Sequence, residues 1–77
     1  MPLLSNGDRI RELRLRKAWK LGDLAQRMGT TANYLTKVEL GHVNGGPEFV
    51  RRAAEALGVE VAEITTYVAE QSRAVAS

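Results

Sequence analysis

Apolar residues along the chain recur at three- and four-residue steps, and no stretch alternates with period two for long enough to make a strand. Ser5, with Asp8 three residues on, reads as a capping box that opens a helix from about Asn6 to Lys17. Ile10, Leu13 and the stem of Lys17 share one face of it, and arginines fill the rest. A second short helix is expected over Leu21 to Met28, with Leu24, Ala25 and Met28 inward. Gly29 then stands where a left-handed residue is wanted. Thr31 can cap a third helix from Ala32 to about Leu40, with Leu35 and Val38 inward and Gly41 ending it.

The segment His42–Gly46 is a loop by composition. Pro47 follows at the favoured first position of a fourth helix, which runs to Leu57 and buries Val50, Ala53, Ala54 and Leu57, with Phe49 partly in. Gly58 stops it. A fifth helix is expected from near Val61 to about Val75. Five short helices in one all-α domain is the predicted architecture. Its core covers about residues 6–66, and residues 67–77 form a helix extension or tail. There are no internal repeats, linkers or low-complexity tracts.

Seventy-seven residues suffice for one small domain, in which about 60–65% of the unfolded surface is buried. The chain has no cysteine, which excludes disulfides, thiolate zinc sites and cysteine nucleophiles. One histidine is too few for a His-rich metal site, so neither metal nor cofactor is expected. No apolar run approaches the ~20 residues of a membrane span, and the N-terminus lacks the marks of a signal peptide. A cytoplasmic, nucleoid-associated protein is the expectation.

The net charge of +2 conceals an uneven distribution. Residues 1–27 carry seven Arg and Lys against three acids, whereas residues 47–77 carry three against five. A basic front and acidic back suit a face for a polyanion with another turned away from it. Charge alone leaves an ordinary solvated helix face equally open.

The second and third expected helices are separated only by Gly29-Thr30-Thr31, too short for antiparallel packing, so they must cross steeply. Ala25 is small where they touch, and Gly29 accepts the positive φ of the turn. Leu24, Met28, Leu35 and Val38 then face one core. Leu21 to Leu40 meets the requirements of a helix-turn-helix.

On these residues the chain resembles the phage-repressor and Cro-type (XRE-like) helix-turn-helix domains, which bind operator DNA as regulators of transcription. The resembling stretches are GDRIRELR (Gly7–Arg14), DLAQRMGTT (Asp23–Thr31), NYLTKVELG (Asn33–Gly41) and AEALGV (Ala54–Val59), about three-quarters of the chain. The resemblance implies a five-helix, lambda-repressor-like domain whose helix from Ala32 lies in the major groove of double-stranded DNA. Base contacts are then expected from Thr31, Ala32, Asn33, Tyr34 and Lys37. Asn33 suits the N6 and N7 of adenine, Lys37 the O6 or N7 of guanine, and Ala32 a thymine methyl, while the Tyr34 hydroxyl reaches a phosphate.

Contacts to the DNA backbone are expected at the start of the second helix (Lys20, Leu21), along the first (Arg14, Arg16, Lys17) and in the loop after the reading helix (Asn44). Two positions depart from the family. Lys20 stands where Ser or Thr is usual, and Leu21 where a backbone-clamping Gln is usual. The family's matching positions for Arg14 and Glu39 often form a partly buried ion pair, so Arg14 is assigned to the scaffold first and to phosphate second. Trp19 reads as a core plug between the first two helices, and Leu15 as one exposed leucine.

The family's doubling of half-sites implies a homodimer on a palindromic operator, most simply a repressor. Val61, Ile64, Val68, Gln71 and Val75 fall at alternating three- and four-residue steps, a coiled-coil-like stripe for that contact. The sequence speaks against an enzyme: Gly45-Gly46 lacks the lysine of a phosphate-binding loop, and His42 has no Ser or Cys partner at a known spacing. No small-molecule site is visible. A protein-interaction adaptor, or an antitoxin component built on the same fold, is the alternative function.

Overall fold

In a computed structural model, which describes residues 3–67, the order of elements is β1 (Leu3–Ser5), α1 (Gly7–Arg16), α2 (Leu21–Met28), α3 (Ala32–Glu39), α4 (Pro47–Leu57), a 3-10 turn (Val61–Ile64) and β2 (Thr65–Tyr67). Each helix starts and stops for a local reason. Asn6 caps α1, its Oδ1 accepting the Arg9 N–H at 3.1 Å. Thr31 caps α3 by accepting the Tyr34 N–H through Oγ1, also at 3.1 Å. Pro47 occupies the first turn of α4, where a missing N–H costs nothing. Gly29 ends α2 at φ 75°, and the amides of Gly29 and Thr30 return to the carbonyls of Gln26 and Ala25.

The inward faces meet in one cluster. Ile10, Leu24, Leu35, Val38, Val50 and Ile64 are fully buried there, with Ala25 and Ala53 letting the backbones approach. Burying each of the larger side chains contributes about 1.5–3 kcal/mol. Trp19, Leu21 and Val43 pack half-buried against the rim, so Trp19 does plug the edge of the core. Leu15 is exposed on α1, as expected.

Three expectations are corrected. Ser5 is not the cap of α1. It lies in β1, where its hydroxyl accepts the Gly45 N–H at 3.0 Å and donates to Asn44 Oδ1 at 3.1 Å, which leaves the capping role to Asn6. The domain is not purely helical: β1 and β2 pair antiparallel, with Leu4 opposite Thr66 and Ser5 opposite Thr65. Nor is there a fifth α-helix from Val61. The described part of that segment is a 3-10 turn followed by β2, so the described residues hold four α-helices. Two causes act together. The Ile64 carbonyl is taken by the Asn6 N–H at 2.9 Å, and the β-branched pair Thr65-Thr66 suits a pleated strand. Val61 and Ile64 therefore do not begin a helical stripe, and its other members, Val68, Gln71 and Val75, lie outside the described residues.

Two contacts fix α3 relative to α1. The first needs no side chain at all. Gly7 opens α1 directly against the last carbonyls of α3: a Cβ on Gly7 would lie 2.6 Å from the Glu39 carbonyl oxygen and closer still to that of Val38. The amino end of one helix thus abuts the carboxyl end of another, a favourable arrangement of their dipoles. The second is an ion pair. Arg14 Nε and Nη2 donate to the two carboxylate oxygens of Glu39 at 2.9 and 3.1 Å, and Nη1 donates to the Trp19 carbonyl at 2.8 Å. Both residues are buried, Arg14 to 7% and Glu39 to 6% exposure, so solvent screens the pair little.

The turn from α1 to α2 is built like the turn from α2 to α3, but without glycine. The Ala18 N–H returns to the Leu15 carbonyl and the Trp19 N–H to that of Arg14, while Ala18 itself sits at φ 58°. An L-residue with a Cβ is strained by roughly 1–2 kcal/mol in that region.

Three substitutions test this account by thermal melting. Ala18→Gly relieves the strain and is expected to stabilise the domain by about 0.5–1 kcal/mol. Gly7→Ala drives a Cβ into the backbone of α3 and is expected to cost about 1–3 kcal/mol. Glu39→Gln strands the buried Arg14 guanidinium and is expected to cost about 3–5 kcal/mol. An unchanged melting curve for Glu39→Gln would show that the pair holds nothing.

Candidate nucleic-acid interface

The turn Gly29-Thr30-Thr31 sets α3 across α2, with Ala25 buried where they meet. Because Leu35, Val38 and Glu39 face inward, the opposite side of α3 is made by Asn33, Lys37 and Leu40, all exposed. Thr31, Ala32 and Tyr34 are exposed around its first turn. Of the five residues expected to contact bases, Asn33 and Lys37 share the outward face of α3, and Thr31, Ala32 and Tyr34 lie around its amino end. They are not equally free. The oxygen of Thr31 serves as the helix cap, and the Tyr34 ring meets Phe49 edge-on with centroids 5.4 Å apart.

The amino end of α2 carries Lys20 as its flanking residue, and no side chain caps it. Asp23 instead accepts the Lys20 N–H at 2.8 Å, which fixes the backbone there. Leu21 is half-buried against the core, so its side chain is part of the scaffold.

The other residues expected near the DNA backbone have partners within the protein. Arg14 is committed to Glu39 and Trp19. Arg16 pairs with Glu12 at 2.9 Å. Lys17 stacks over the Trp19 ring with its Nζ 5.3 Å from the centroid. Asn44 accepts from Ser5, both the backbone N–H at 2.7 Å and the hydroxyl, which ties the loop after α3 to β1.

The described cations fall into three groups. Arg9, Arg14, Arg16, Arg51 and Arg52 are in ion pairs. Arg9 and then Arg16 hold the Glu12 carboxyl below the ordinary carboxylate range, and Arg52 and Arg51 do the same for Glu48. Lys17 and Arg27 lie over the Trp19 ring, the latter at 4.3 Å. Arg11, Lys20 and Lys37 have neither kind of partner among the described residues. Lys37 belongs to the helix-turn-helix itself, and Lys20 stands immediately before it.

Sequence reasoning missed Arg27 on Trp19, the Ser5–Asn44–Gly45 connection and the outward leucine at position 40. Only the last left a readable signal, since Leu40 is seven residues beyond Asn33 and three beyond Lys37. The other two join residues eight and about forty apart, with no periodicity to mark them.

Among proteins of known function, the chain is 36% identical over 56 residues to the HTH-type transcriptional regulator SlrR of Bacillus subtilis, covering 71% of this chain and 37% of SlrR. The chain thus spans little more than a third of that relative. Among solved structures, it matches the restriction-modification controller protein C.AhdI of Aeromonas hydrophila at 35% identity and TM-score 0.72, over 74% of this chain and 86% of that one. It also matches SinR, a master regulator for biofilm formation solved in complex with DNA, at 30% identity and TM-score 0.69, over 73% of this chain and 90% of that one. The helix-turn-helix domain family matches residues 7–66. That match spans α1 to β2 with both helices and the Gly29 turn, and the chain belongs to the helix-turn-helix domain family, in its phage-repressor and Cro-type (XRE-like) branch.

Proposed function

We propose that the protein is a sequence-specific DNA-binding regulator of transcription that inserts α3 into the major groove. The observation that carries this reading is the outward stripe of α3: a donor-and-acceptor amide at Asn33 and, at Lys37, an ammonium without an ion-pair partner among the described residues, on one exposed face. These groups match base edges, since Asn pairs bidentately with adenine and Lys donates to guanine. Thr31, Ala32 and Tyr34 supply the shorter contacts around them. SinR, which matches this chain at TM-score 0.69, is solved in complex with DNA, and that supports the DNA-binding part of this reading.

Backbone contacts divide by what the scaffold leaves available. Lys20 and the first turn of α2 suit one phosphate, with a side-chain charge that has no ion-pair partner among the described residues beside a helix amino end. Asn44, on the exposed loop after α3, is the second expected contact, but it is held by Ser5 and would have to share that bonding to reach a phosphate. Lys17 adds charge beside Trp19. Arg16 would have to leave Glu12 to take part, and Arg14 belongs to the scaffold. A single α3 reads few bases, so a homodimer on a palindromic operator is the arrangement we infer, acting as a repressor by occupying the site.

Selection of bound sequences from a random duplex pool, followed by anisotropy titrations at several salt concentrations, tests this. Lys37→Ala is expected to lose about 1–3 kcal/mol at one base position and relax preference there. Lys20→Ala is expected to weaken all sequences alike and lower the salt slope by about one. A preference unaltered by Lys37→Ala would remove α3 from the groove.

A further inference from the structure

Leu40 is the most exposed of the large hydrophobic side chains in the described residues, at 63%. Its backbone is held firmly, because the Leu40 N–H bonds to the Thr36 carbonyl at 3.0 Å and the next two amides return to Val38 and Lys37. At φ −82° and ψ −6° it continues the helical path, so its side chain extends the stripe begun by Asn33 and Lys37. It is the one apolar member of that stripe. A rise of about 1.5 Å per residue puts it roughly 10 Å along the helix from Asn33, about three base steps at 3.4 Å each.

A leucine has no donor for a phosphate and no acceptor for a base amine. The major-groove edge of DNA offers one apolar group to such a side chain, the C5 methyl of thymine. Resting on the DNA-binding reading above, we propose that Leu40 is a specificity-determining residue that selects thymine by covering this methyl. Asn33 and Lys37 then read hydrogen-bonding groups, and Leu40 reads the absence of one. Covering the methyl also removes Leu40 itself from water, which a polar residue at this position would not gain.

The test uses the preferred duplex recovered by selection, with each thymine replaced in turn by uracil, which deletes only the methyl. In the parent protein one such replacement, on the far side of the base read by Lys37, is expected to weaken binding about three- to fivefold. Leu40→Ala is expected to abolish that penalty and the preference for thymine there, whereas Leu40→Met, still apolar, is expected to retain both. Melting temperatures report that the variants are folded. Uracil penalties that are the same in the parent and in Leu40→Ala would overturn the proposal and leave Leu40, with Leu4 across a shallow groove, to contact protein instead. Failure of the parent itself to bind duplex DNA would overturn the DNA-binding reading first, and this inference with it.

Discussion

The bidentate pair between Arg14 and Glu39 is the constraint on which the arrangement of the helices depends. It joins the end of α1 to the end of α3 across 25 positions of sequence and, through the Trp19 carbonyl, also fixes the turn that leads into α2. Three helix ends therefore share one guanidinium. Removing the pair from water costs free energy, and its Coulombic attraction offsets this only because the geometry is bidentate and a third donor is satisfied. A buried charge pair tolerates few alternative registers, whereas the surrounding leucines and valines would accept several. The close approach of Gly7 to the carboxyl end of α3 works in the same direction, since only one placement of α1 brings backbone to backbone there.

Charge pairing sorts the surface more finely than position along the chain does. The basic first third of the sequence loses much of its excess to Glu12 and Glu39, and α4 neutralises itself through Glu48 with Arg51 and Arg52. Exposed pairs of this kind add little to stability. Their effect here is on the field: they offset much of the charge of α1 and α4 and leave Arg11 on α1, Lys20 just before α2 and Lys37 on α3 without an ion-pair partner among the described residues. Trp19 does similar work for Lys17 and Arg27 by presenting the face of its ring.

The helices of the central unit were legible because their signals are local. Gly29, Thr31 and Pro47 each act within a few residues, and the inward faces follow from a 3.6-residue period. The residues of α3 that make up the candidate site were legible for the same reason. What escaped reading is tertiary. Residues 3–5 pair with residues 65–67, some sixty positions away, and a strand of that length has too little alternation to be seen. Ser5 looked like a cap because Asp8 stood three residues on, yet its hydroxyl finds Asn44 and Gly45 instead. The expected helix from Val61 fails because a neighbour takes the Ile64 carbonyl, a fact invisible in the apolar spacing. Ala18 shows the reverse case: it adopts a glycine conformation for which the sequence supplies no glycine.

The pairing of β1 with β2 has a mechanical side. Leu3 lies opposite Tyr67 at the outer end of the ladder, so tension applied through these two positions peels the strands apart one rung at a time. The rungs are never loaded together in shear, and little force is needed. The third rung is Ser5 with Thr65, and Ser5 also holds Asn44 and Gly45. Tension on the ends would therefore slacken the loop behind α3 while the helices, whose packing lies beyond the ladder, still bear no load.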